Sequence, residues 1–295
     1  MRAWAGGLWA RPDFLKLWAG QTVSQVGSQV TALALPLLAV TLGATPTQMG
    51  ALIAIETVPF LALSLLAGMW IDRLRRRPIL IATDLGRAAL LASLPVAALL
   101  GRLGLPQIYL VAVGVGTLTV FFDLAYQAYL PVLVGRAHLV EGNSKLELSR
   151  AAAQIAGPGL AGVLVQLLAA PRTIALDALS FLLSACCLRA IEAPEAVPVA
   201  ARRGGRAEIG EGLRFVLGEP YLRAIVGCSA TLNGFAFLQA AVYLLRATRE
   251  LALPPGAIGL VSAAGGVGAL VGAFASPHLV RRYGLGRTLI AGAAA

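Results

Sequence analysis

GMWIDRLRRRPIL, residues 68–80, packs the acid Asp72 and the arginines Arg73, Arg75, Arg76 and Arg77 into a gap of a few residues. An apolar run ends at Trp70 and Ile71 just before it, and another begins directly after Pro78. Lysine and arginine gather in short loops when the flanking segments cross lipid and the loop stays on the cytoplasmic side. The arginines therefore read as the anchor of a tight inner hairpin between two membrane helices.

The whole chain agrees with that local reading. Of 295 residues 58% are hydrophobic and only 13% charged, and the mean hydropathy is +0.79. A soluble domain is nearer half apolar and about a quarter charged, so this chain lacks the polar surface to stay dissolved. The net charge of +10 would suggest nucleic acid in a soluble protein. Here the charges fall in gaps between apolar runs, so no nucleic-acid partner is expected. Cys186, Cys187 and Cys228 lie inside apolar runs with neither metal-ligand nor disulfide spacing. His138 and His278, the two histidines, sit at expected loop edges, and no metal or cofactor site is expected.

Crossing the hydrocarbon takes about 20 mostly apolar residues. Suitable runs lie near 17–42, 49–71, 78–100, 107–134, 151–170, 173–190, 222–245 and 257–280, and a further one starts at Thr288. An all-α polytopic membrane protein follows. With the N-terminus inside, twenty of the twenty-four lysines and arginines fall on the inner side, leaving Arg102, Arg172, Arg246 and Arg249 outside. The N-terminal run is too long for a cleavable signal. The gap after the sixth run, "EAPEAVPVAARRGGRAEIGEG", reads as a cytoplasmic linker. Ile209, Leu213, Val216 and Leu217 at its end suggest a short helix on the inner membrane surface, or the first turn of the next span. The expected organisation is a six-helix half over 1–190, a linker over 191–220 and an incomplete second half over 221–295.

"FLKLWAG" at 14–20 is echoed by "YLRAIVG" at 221–227, "QMGAL" at 48–52 by "AIGLV" at 257–261, and "RPILI" at 77–81 by "RTLIA" at 287–291. The order is kept and the offset is steady. Six spans separate the copies, so both copies have the same orientation, as in transporters built from parallel repeats. On that plan the chain is C-terminally truncated, with further helices expected after residue 295.

These residues resemble the major facilitator superfamily, in particular its bacterial efflux branch of enterobactin exporters and macrolide efflux proteins. "LWAGQTVSQVGSQVTALALPLLA" is similar to that branch's first helix, and "GMWIDRLRRRPIL" to the superfamily signature between helices 2 and 3. "FFDLAYQAYLPVLV", "VEGNSKLELSRAAAQIAGPGLAG" and "ALDALSFLLS" are similar to helices 4, 5 and 6. Gly157, Pro158 and Gly162 keep part of the fifth-helix antiporter motif, while Ala153 and Ala161 replace two of its glycines. The arginine usual in helix 4 of drug antiporters is missing, and "PHLVRRYGLGR" puts Arg281 or Arg282 where the second-half signature has its acid.

The resemblance implies a secondary active transporter that exports a small molecule (a drug, macrolide or siderophore) by alternating access, driven by a proton or other ion gradient. It implies a multi-pass protein of the bacterial inner membrane, monomeric when complete, with no enzymatic activity. The alternatives are a nonfunctional remnant of such a transporter, or an importer of the same superfamily. It also implies a gating group of Gly68, Asp72, Arg73, Arg77, Asp84 and Arg87, in which Asp72 bridges the two halves. Otherwise Asp72 merely trims the charge of its loop, and Asp84 with Arg87 forms a simple intrahelical pair.

Ionisable residues at membrane depth are costly and mark functional positions. Glu56 in the second run and Asp123 in the fourth are thus candidates to bind a proton or a cationic substrate, or else structural acids. Gln21, Gln25 and Asn233, in the first and seventh spans, are candidates for the substrate path or for interhelical hydrogen bonds. Asp177 is expected to cap the sixth span.

Overall fold

The computed structural model describes residues 7–71, 74–195 and 217–284, together with 210, 214, 215 and 286. Its long helices are α1 (Pro12–Thr41), α2 (Pro46–Ile71), α3 (Arg76–Leu99), α4 (Leu105–Val134), α5 (Leu139–Leu168), α6 (Ala170–Arg189), α7 (Pro220–Arg249) and α8 (Pro255–Tyr283). Six described segments, one in each of α1–α6, are long and apolar enough to cross a membrane by length and composition. Ile209, Leu213 and Val216 of the expected membrane-surface helix, and the run from Thr288, lie outside the described residues.

Local chemistry explains the boundaries. Proline at the first or second position opens α1, α4, α6 and α7, where its missing N–H would have had no partner in any case. At the start of α2, Thr45 N donates to Gln48 Oε1 (2.8 Å) and Gln48 N to Thr45 Oγ1 (3.3 Å), a reciprocal cap that satisfies two orphan donors. Gly43, Gly101 and Gly135, all at positive φ, end α1, α3 and α4.

One helix begins well before its apolar run. α5 starts at Leu139 rather than near 151, because "LVEGNSKLELSR" is amphipathic. Leu146 is buried, while Glu141 and Lys145 are half-buried and pair at 2.7 Å. An apolar count misses such a polar first section of a membrane helix.

Within the first half, α1 packs on α5 and α6, α3 on α4 and α6, and α2 on α4, while α8 lies along α5. Two apolar cores result. One joins Leu35, Leu38, Met49, Leu91, Leu94, Ile108 and Ile174. The other joins Phe14, Leu17, Leu80, Phe122, Tyr129 and Leu188. Between them runs a layer of buried polar residues: Gln21, Ser24 and Thr31 from α1, Thr83, Asp84 and Arg87 from α3, and Asp177, Ser180 and Ser184 from α6.

Candidate functional site

The arginine turn does its local work on helix ends. Arg77 donates from Nε to the Leu188 carbonyl (2.9 Å) and from Nη2 to the Arg189 carbonyl (2.5 Å). Those carbonyls end α6, where the helix dipole favours a cation. In the opposite sense, the Glu195 carboxylate accepts from the backbone N–H of Arg76 (2.6 Å) and Arg77 (3.1 Å), at the positive end of α3. Asp13 of α1 accepts from Glu192 N (3.1 Å) and Ala193 N (2.9 Å), and Lys16 Nζ donates to Ala190 O (2.7 Å). The starts of α1 and α3 and the end of α6 are thus tied together through residues 190–195. Sequence reading had assigned 191–195 to the linker and missed Glu195. An acid a few residues past a helix end, facing a basic turn, was the available signal.

Asp72 and Arg73 of the expected gating group lie outside the described residues, and Gly68 lies in the last turn of α2. Asp84 and Arg87 are not part of the arginine turn. Arg87 is eleven residues into α3, about 16 Å along the helix. It pairs with Asp84 within the helix, which is the simpler of the two expectations for this pair. Its guanidinium lies 4.2 Å from the ring centres of both Phe122 and Phe181, and Nη1 reaches Thr119 Oγ1 at 3.5 Å.

Asp177 corrects the expected cap. It is the eighth residue of α6 and 1% exposed. It accepts from Thr31 Oγ1 (2.5 Å) and Ser180 Oγ (2.9 Å). Gly27 of α1 is what admits this arrangement, because a Cβ there would fall on Asp177 and Ser180. The small polar residues Asp177, Ser180 and Ser184 share one face of α6 by helical spacing, a signal present in the sequence but not used.

Gln21 is buried, with its Nε2 3.4 Å from Ser184 Oγ, so it takes the interhelical role. Gln25 keeps a buried Oε1 that has no partner among the described residues. Asn233 is exposed on α7 and donates to Ser229 O within its own helix (2.8 Å), so it is not brought beside Gln21 or Gln25. Glu56 is exposed on α2. Asp123 is exposed on α4 and interacts electrostatically with Arg87 and Arg150. Nearby on α5 opens a cleft of about 640 Å³ lined by Asn143, Ser144, Glu147, Leu148 and Ala151. His278, expected at a loop edge, is an exposed residue of α8.

Gly157, Pro158 and Gly162 sit where α5 meets two helices. A Cβ on Gly157 would strike Gln29 of α1, and one on Gly162 would strike Pro255 O and the Cα of Gly259 in α8. Pro158 O lies against Gly259 from the other side. Gln166 Oε1 then accepts from Gly256 N (3.2 Å) at the start of α8. Small residues let membrane helices approach at backbone distance. The first helical half and α8 are joined here through glycine.

Residues 17–295 match the Major Facilitator Superfamily as a whole. The chain belongs to that superfamily. Among curated proteins it is similar to "Multidrug efflux pump Tap" of Mycolicibacterium fortuitum, with 31% identity over 231 residues. That alignment covers 75% of this chain and 56% of the relative, so the chain spans about half the length of the curated relative it matches. As a major facilitator protein it is an all-α, multi-pass membrane protein of a transporter family.

Proposed function

We propose that this major facilitator protein works in secondary active export of a small molecule by alternating access, driven by a proton gradient across a bacterial inner membrane. The observation that carries the reading is the glycine contact of α5 with α8. Gly157, Pro158 and Gly162 of the antiporter-like motif pack directly against Gly259 and Gln29, which suits a seam on which two halves rock. The similarity to an efflux pump supports the outward direction. The arginine-rich turns place the N-terminus in the cytoplasm on this reading. No chemical conversion, nucleic acid or second copy of the chain is part of it.

In this scheme Gly68, Asp72, Arg73 and Arg77 form the inner gate, and Arg77 also holds the end of α6. Glu56, Asp123, Gln21, Gln25 and Asn233 are candidates for the substrate and proton path. Glu56 and Asp123 are exposed at membrane depth, where an acid facing a wet cavity can serve a cationic substrate. Inverted membrane vesicles containing the chain, energised by respiration and supplied with ethidium, test the proposal. Dye uptake that a protonophore abolishes, and that Asp72→Asn lowers without reducing the amount of inserted protein, is the expected result. Uptake that persists with the protonophore overturns proton coupling, and absence of uptake overturns the efflux reading.

A further inference from the structure

The polar layer between the two apolar cores has an unbalanced charge. Two buried carboxylates, Asp84 (0% exposed) and Asp177 (1%), share it with one guanidinium, Arg87 (5%). All three interact electrostatically. Isolated charge at this depth is costly, and a layer with one carboxylate in excess is relieved most simply by one proton.

Hydrogen bonding points the same way. Asp84 meets Arg87 through Oδ1 only. Its Oδ2 is buried and has no hydrogen-bond partner among the described residues, and neither has Arg87 Nε. The Ser184 hydroxyl also acts on this carboxyl but closes no hydrogen bond to Oδ2, and a buried acceptor left so is one that proteins rarely tolerate. Asp177 is better supplied, taking hydroxyl donors from Thr31 and Ser180. The site has no room for a larger cation. The rings of Phe122 and Phe181 lie on Arg87, and the α1 backbone closes on Asp177 at Gly27. A proton needs no such room.

We propose that Asp84 and Asp177, together with Arg87, form a binding site for one exchangeable proton, reached from the cleft on α5 by way of Asp123. The proton is shared by the two acids, which interact with each other and with Arg87. Arg87 neutralises whichever acid is ionised. α1 brings only the neutral Gln21, Ser24 and Thr31, and α6 adds Cys187 one turn beyond Ser184. α4 brings Asp123 and Tyr126, and α5 brings Glu147 and Arg150. Asp123 interacts with both Arg87 and Arg150, and Tyr126 with Asp123, Glu147 and Arg150. Asp123, Tyr126, Glu147 and Arg150 thus link the cleft, where Glu147 is a wall residue, to Arg87 through electrostatic interactions.

This inference rests on the transport reading for its purpose but has a readout of its own. Infrared difference spectra of the full chain in lipid, recorded between about pH 5 and pH 9, report the C=O stretch of protonated carboxyl groups. The Glu56→Gln chain serves as the reference, so that the exposed acid of α2 adds no band. One carboxyl band that titrates and shifts in deuterated buffer is expected. Asp84→Asn and Asp177→Asn should each abolish it, because the acid left behind then pairs with Arg87. Arg87→Gln should raise it about twofold, because both acids then carry protons. A reference chain with no titrating band overturns the proposal, even if the aspartate variants fail to fold. So does a band that survives both aspartate substitutions. If the band behaves as expected while vesicles move no dye, the efflux reading fails and this site stands.

Discussion

Arg77 and Arg75 are two residues apart in one basic turn, yet they have different work. Arg77 holds the last carbonyls of α6, whereas Arg75 is exposed. A cation at a helix C-terminus is worth about 0.3–1 kcal/mol, up to about 2 when partly buried. Arg77→Ala should therefore lower the midpoint of thermal unfolding in detergent measurably, while Arg75→Ala leaves it within error. Equal midpoints for the two variants would show that the α6 cap contributes nothing. Asp84 and Arg87 carry a larger stake. Removing one partner of a buried ion pair costs about 3–5 kcal/mol, whereas replacing both with apolar residues of similar volume is often neutral. Asp84→Leu alone should be severely destabilising, and the double change Asp84→Leu with Arg87→Met should recover most of the loss. A double variant no more stable than the single one would contradict the pairing. Gly27→Ala belongs at the same scale. Its methyl would overlap Asp177 and Ser180, and overpacking of this kind costs about 1–3 kcal/mol, read as a lower unfolding midpoint.

Between elements, the contact of α5 with α8 is the most specific feature. A Cβ built at Gly159 comes within 3.6 Å of the Ala263 Cβ, inside the range that a disulfide spans. With the three native cysteines replaced, Gly159→Cys combined with Ala263→Cys should cross-link in membranes under mild oxidation. On the proposed mechanism that bond would also arrest dye transport, and reduction would restore it. Failure to cross-link would mean that the two helices do not meet in this register. The starts of α1 and α3 and the end of α6 form the second joint. There the backbone N–H groups that start α3 and the carbonyls that end α6 are satisfied by side chains from the opposite element. That reciprocity explains why a turn so rich in arginine ends in a rigid helix start and not in a loose charged loop.

For the whole molecule, membership of the major facilitator superfamily sets the plan, and on the proposed reading the charge asymmetry orients it. Cysteine introduced at Arg75 should react with an impermeant reagent only from the cytoplasmic side, and cysteine at Arg102 only from outside. The reverse pattern would overturn the inside placement of the N-terminus. The polar layer has consequences at this scale too, since it separates two apolar cores. Movement of a proton into or out of that layer changes its charge, and with it the contact of α1, α3 and α6 on which the first half depends.

Membrane class, helix order and the basic hairpin were legible from residue type and spacing, because lipid imposes length and polarity on every span and loop. Glu56 and Asp123 stood out for the same reason, as acids in apolar runs. Tertiary structure alone decided which of those acids have partners. It turned Asp177 from an expected cap into a buried acceptor, placed Arg87 between two aromatic rings, and left Asn233 apart from Gln21. It also revealed Glu195 as the anion at the start of α3. The physical reason is that depth and helical face can be read along one chain, whereas a hydrogen bond between helices depends on their mutual rotation and distance. Those are set by small contacts such as Gly27 against Asp177 and Gly162 against Gly259, which no single segment encodes.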